Sequence, residues 1–154
     1  MRERKLAAFP RELGRVAGRA RRLAARLARV PSDRFPPGFG AGVRLFNAGE
    51  FFAAHEAFED LLELAEGDDW ECLVGLIQVA VGYHKYVSGH PGAARMLALG
   101  AAKLARFPGV FRRLAVGRLR HRVADDLAIL EAGGRLLASP PRLEMLREAP
   151  RSAE

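Results

Sequence analysis

One cysteine, three lysines and no long uncharged run set the first limits on this chain. A lone thiol, Cys72, cannot close an internal disulfide, and its apolar neighbours predict a small buried hydrophobe. After Arg2, Arg4 and Lys5 only Leu6 to Phe9 are apolar before Pro10, too short a stretch for a secretory signal. The run from Cys72 to His84 carries no firm charge, yet it falls short of the ~20 residues a bilayer span needs. These absences predict a cytoplasmic protein without a transmembrane segment. Catalytic signatures are missing too. There is no recognisable nucleophile, phosphate loop or oxyanion donor pair, and no His-Glu-x-x-His, and a single His-x-x-x-Glu excludes the common zincin and di-iron patterns. An enzyme therefore ranks below a binding or structural role, and no reaction is named.

What is abundant is arginine, 22 against three lysines. With the frequent Ala and Gly, this is the signature of a GC-rich genome, but codon bias does not explain clustering. Net charge is +7 overall and +8 over residues 1–30, which leaves about −1 for the remaining 124 residues. Residues 11–30 set Leu13, Val16, Ala20, Leu23 and Leu27 on one side of a helix and Arg11, Arg15, Arg19, Arg22, Arg26 and Arg29 opposite. Such a basic stripe suits weak, salt-sensitive, sequence-indifferent nucleic-acid binding. As a membrane-surface helix it lacks aromatics, and as a targeting presequence it lacks Ser. The plain account is that its apolar side docks on the core and the arginines are solvated.

The Pro- and Gly-rich stretch from Pro31 to Gly42 reads as a linker, followed by a short helix around Val43–Phe46. Phe51, Ala54, Phe58, Leu61 and Leu62 recur at helical spacing and predict a helix over 50–66, with Gly67 as stop and Asp68–Asp69 as the next N-cap. From Cys72 to His84 apolar residues surround the whole circumference, which predicts a buried central helix. Gly75 and Gly82, seven apart on it, suggest that a neighbouring helix comes close. Pro91 suits the first turn of a helix reaching Phe107, residues 110–117 suit a turn or a short helix, and 118–132 form a last amphipathic helix. The expected fold class is all-α: a compact array of about five helices with an additional basic N-terminal helix. Expected boundaries are 1–37 for basic helix and linker, 38–138 for the helical domain with its core at 45–106, and 139–154 for a tail.

Within the apolar run Gln78 is the one fully polar side chain, and burying an amide unpaired costs roughly 1–3 kcal/mol. It should face a polar partner. His55 and Glu59 are candidates, since residues four apart share one face of the preceding helix. His84 lies about 120° round the helix from Gln78.

The residues from Gly49 to Ala93 carry several motifs in order. Gly49, Phe51, Phe52 and Ala54 approach His55, Glu56 and Glu59. Gly75, Leu76, Ile77, Gln78, Ala80 and His84 follow, and then Gly89, Gly92 and Ala93. This pattern resembles the domain of unknown function family numbered 309, an all-helical group from bacteria and archaea. The resemblance covers about 65 residues and implies a helical fold and a bacterial source. A metal role suggested for the family's His-x-x-x-Glu falls here on His55 and Glu59 only. Leu62 stands where the family pattern has an aromatic, and Trp70 is either a packing anchor or its spatial substitute.

For a divalent metal the sequence offers two ligands, His55 and Glu59, with Glu56, Glu63 or His84 as the third. A catalytic zinc usually takes three protein ligands and water. The favoured expectation is a polar site on His55 and Glu59, extended by Gln78 and His84, that binds a metal or a small polar ligand. One alternative is a helical protein-interaction module or homo-oligomer in which His55, Glu59 and Gln78 form a structural hydrogen-bond network. Another is nucleic-acid association through the arginine stripe.

Overall fold

A computed structural model describes residues 33–147; the expected basic helix and its six stripe arginines lie outside the described residues. Five α-helices and one short 3-10 turn make up the described array: α1 Phe39–Asn47, α2 Phe51–Asp60, the 3-10 turn Leu61–Glu63, α3 Gly67–Val87, α4 Ala93–Leu104 and α5 Val116–Glu131. The all-α expectation holds.

The expected linker ends earlier than its glycines suggest. Helix α1 already starts at Phe39, so Gly40 and Gly42 are helical. Gly42 is there for proximity, because a Cβ at that position would stand 2.4 Å from the Phe58 ring. Phe39 stacks on Phe35 at 4.0 Å and meets Phe58 at 5.3 Å, which locks α1 onto α2. Between the two helices Gly49 adopts φ +80°, and Glu50 N–H reaches the Leu45 carbonyl at 2.9 Å, a glycine-dependent helix stop.

In α2 the buried residues Phe51, Ala54, His55 and Phe58 follow the helical period. The helix gives way to the 3-10 turn at Leu61, short of the expected residue 66. Leu61 and Leu62 of this turn, and Ala65 just after it, are buried in the core. Asp68 and Asp69 lie in the first turn of α3, where their charge favours the helix dipole, and make no side-chain cap.

Helix α3 is the centre of the array, with α2 against one side and α4 against the other. Its buried set, including Cys72, Leu73, Leu76, Ile77, Val79, Ala80 and Tyr83, leaves no wholly solvated stripe along the middle turns. The α3–α4 pairing is the most extensive in the fold, and glycine permits it. A Cβ at Gly75 would meet Leu104 at 2.9 Å, and one at Gly82 would meet Leu97 at 2.7 Å, so two glycines seven apart receive two leucines seven apart on an antiparallel partner. Gly100 returns the contact from α4, lying against Val79 and the Gly75 carbonyl.

The chain then turns at Phe111–Leu114, where the two end residues exchange backbone hydrogen bonds of 3.0 and 2.8 Å. Arg112 and Arg113, between them, both have positive φ, 47° and 68°. A tight turn of this hand usually takes Asn-Gly. Arg112 is held by Asp69 at 2.7 Å, with its guanidinium 5.2 Å from the Phe111 ring centroid. Arg120 of α5 donates to the Leu104 and Phe107 carbonyls at 3.1 and 2.8 Å and so satisfies acceptors at the open end of α4.

Residues 139–147, within the expected tail, run extended against the array. Pro141 and Leu143 are buried, and Asn47 grips Leu143 from both sides, accepting from its N–H at 2.7 Å and donating to its carbonyl at 2.9 Å.

Gly100→Ala tests the close packing. The added methyl would stand 2.6 Å from Val79 Cγ2 and 2.9 Å from the Gly75 carbonyl oxygen. Overpacking of about 1–3 kcal/mol outweighs the ~1 kcal/mol gained in helix propensity. The midpoint of thermal unfolding should drop by up to about 8 °C, whereas Gly109→Ala, with nothing within 4 Å, should stay within about 0.5 kcal/mol of wild type.

Candidate functional site

His55 takes its place from the phase of α2: Phe51, Ala54 and Phe58 point inward, and the ring beside them is only 3% exposed. The Phe52 ring lies edge-on against it at 4.6 Å and also meets His84 of α3 at 5.0 Å. One phenyl ring therefore bridges the two histidines, and His84 is close enough for its charge to act on His55. Glu59 sits one turn on, with its Oε2 3.7 Å from His55 Nε2, beyond hydrogen-bond reach. His55 Nδ1 has no partner at hydrogen-bond geometry.

Burial is the dominant influence on His55 and holds its pKa below 6.5. The Phe52 carbonyl, Glu59 and Glu56 oppose it, and His84 adds to the lowering. At neutral pH the ring is therefore neutral. No Lys or Arg occurs from residue 45 to residue 84, so the surroundings supplied by α2 and this part of α3 are anionic. Two carboxylates of this stretch take cations from later in the chain: Glu71 pairs with Lys103, and Asp69 with Arg112.

The structure thus brings together His55, Glu59, Glu56 and His84. Gln78 does not complete the expected network through its carbonyl, since Oε1 is buried without a hydrogen-bond partner. Glu63 is exposed on the 3-10 turn and is not among the groups whose charge reaches His55. Trp70 packs against the core with the Lys103 ammonium 5.9 Å from its ring; the aromatic ring against His55 is that of Phe52. Cys72 is pushed up to about 12 by burial and by Asp69 and Asp68, which leaves it a protonated core side chain.

Among the described residues no group of three or more His, Cys, Asp or Glu is arranged to hold an ion. Ligand atoms sharing a tetrahedral zinc lie roughly 3.3 Å apart. His55 and Glu59, at 3.7 Å, come near that spacing but leave two or more positions without a ligand from the chain.

A second polar cluster escapes sequence reasoning. Asp126 of α5 is 1% exposed; its Oδ2 accepts from Tyr83 at 2.6 Å and from Arg122 at 3.0 Å, while Oδ1 has no partner. Burial and Asp126 raise the Tyr83 pKa far above its ordinary value. In sequence Asp126 sits in a polar-looking Ala-Asp-Asp run, and its one signal is the i,i+4 spacing from Arg122. The cluster ties α5 to the central helix.

Two measurements follow from these environments. Because His55 is held neutral in the fold, the unfolded chain takes up a proton first, so stability is full above pH 6.5 and declines as pH falls below it. Urea unfolding between pH 8 and 5 should show this decline, and His55→Gln should flatten it. Tyr83→Phe, which removes a buried hydrogen bond to a carboxylate, should cost about 1.5–3 kcal/mol by the same method. Tyr86→Phe, which loses the partly buried bond from Leu136 N–H, should cost about 0.5–1.5 kcal/mol.

Residues 39–97 match the protein family described as "Domain of unknown function (DUF309)". A protein of Aquifex aeolicus (strain VF5) described as an "Uncharacterized protein" is 29% identical over 101 residues, which is 64% of this chain. That stretch spans 29% of the relative's own length. The family match runs from the start of α1 into α4 and contains His55, Glu59, Gln78 and His84, while α5 and the extended segment lie beyond it. Over residues 39–97 the motif residues and the helix order agree with that match, and in this stretch the chain is similar to the family described as Domain of unknown function (DUF309).

Proposed function

We propose that this protein binds a small cation at a two-point polar site formed by His55 and Glu59, with His84 and Glu56 beside it. The observation that carries the reading is the 3.7 Å separation of His55 Nε2 from Glu59 Oε2. A purely structural clasp would close that gap to hydrogen-bond distance; here it stays open. The sign of the ligand follows from the charges. A neutral imidazole beside Glu59 and Glu56, in a stretch without Lys or Arg, favours a positive partner. An amine or guanidine could donate to Glu59. A divalent ion could bind the same pair weakly, taking its other ligands from solution. His55 and Glu59 are binding residues in this reading, and no bond-making step is assigned to them.

Thermal unfolding of the untagged protein with zinc, manganese or methylguanidinium chloride tests this. At least one probe should raise the Tm saturably in wild type, with the rise lost in Glu59→Gln and reduced in His55→Gln. A Tm that none of the three cations moves, together with folded variants that are simply less stable, would return the pair to a structural role.

A further inference from the structure

The segment 139–147 is bound in the manner of a peptide ligand. Its contacts with the helical array are chiefly to its main chain. Asn47 takes both the N–H and the carbonyl of Leu143, Ala115 N–H donates to the Glu144 carbonyl at 2.9 Å, and Leu146 N–H donates to the Arg113 carbonyl at 2.7 Å. Leu114 and Met145 form an antiparallel bridge. Arg122 donates to the Ser139 carbonyl. One apolar side chain serves as the anchor: Leu143 is 2% exposed and belongs to the hydrophobic core, Pro141 two residues earlier is also buried, and the exposed Glu144 carboxylate pairs with Arg118. Main-chain pairing plus a single apolar anchor is how sheet edges and grooves recognise extended peptides.

The tether is weak by comparison. From Glu131 to Pro140 every residue except Leu136 is exposed, and the stretch contains no helix beyond the end of α5. Opening it therefore uncovers little apolar surface of its own. The groove instead loses Leu143 and the bonds that Asn47, the Arg113 carbonyl and Ala115 N–H make to the segment, and an identical segment can restore all of them.

From this arrangement we infer that the groove formed by Asn47 at the end of α1 and by residues 113–115 is an exchange site, in which segment 139–147 of a second copy replaces the chain's own. Identity of the segment guarantees that the same bonds form in trans, so closed monomer and exchanged dimer differ mainly in the tether and in the entropy of association. Main-chain recognition sets the chemistry of the occupant: an extended strand with Leu two residues after Pro.

Full-length Leu143→Asp, with helical content checked by circular dichroism, disables the internal occupant and leaves the groove in place. A fluorescently labelled peptide of residues 139–147 should bind it saturably by anisotropy. A peptide with Asp at the Leu143 position should not bind, and adding Asn47→Ala to the protein should weaken binding at least about tenfold. Independently, deleting residues 135–138 from the otherwise wild-type chain shortens the tether by up to about 13 Å and should shift light-scattering mass from monomer to dimer. Saturable peptide binding with the shift to dimer supports exchange. No peptide binding by a helical Leu143→Asp protein, or a folded deletion variant that stays monomeric at every concentration, overturns it.

Discussion

The backbone approach of α3 and α4 is the constraint on which the other positions depend. Gly75, Gly82 and Gly100 remove the Cβ atoms that would hold the two helices apart, and Leu104, Leu97 and Val79 occupy the space. Once α4 lies that close, α3 has one broad flank left, and α2 covers it through Phe51, Ala54 and Phe58. The same geometry fixes the rotation of α3. Tyr83 then faces α5 and the Phe46–Phe51 rings, and the next residue, His84, comes to the edge where Phe52 and His55 lie.

Charge follows a different logic from packing. The stretch from 45 to 84 holds acids and no Lys or Arg, so its carboxylates are compensated over long sequence distances. Lys103 reaches Glu71 from α4, and Arg112 reaches Asp69 from a turn with left-handed backbone at two consecutive arginines. Left-handed conformations cost roughly 1–2 kcal/mol for a residue with a Cβ. The Asp69 contact and the Phe111 ring help hold Arg112 in that conformation. His55 benefits from none of these cations, which leaves an anionic, half-enclosed pair at the join of α2 and α3.

Helical periodicity made most of the array legible. The apolar circumference of α3 and the 3.6-residue phase of Phe51, Ala54 and Phe58 are properties of one element at a time, and sequence carries those directly. Gly75 and Gly82 were readable as contact points because a mid-helix glycine has a propensity cost that needs an offset. Gly40 and Gly42 misled for the complementary reason: beside Pro36 and Pro37 they look like loop residues, and only the Phe58 ring explains a helical glycine there. Of the site, His55, Glu59 and His84 were legible from motif and spacing, and Phe52 was visible only as part of an aromatic approach. Asp126 was not legible, since an exposed-looking acid becomes a core residue only through Tyr83, which lies 43 positions away. Gln78 shows the same limit in reverse, because polarity in an apolar run predicts a partner, and its carbonyl oxygen has none.

The grip of Asn47 on Leu143 joins residues 96 positions apart. During synthesis at about 5–20 residues per second, α1 therefore waits roughly 5–20 s for its far partner to be made. Neighbouring helix pairs can assemble within that interval from contacts of much shorter range. Only a pause after residues 113–115 are made and before Leu143 is made lengthens the time for which the completed groove stands unfilled.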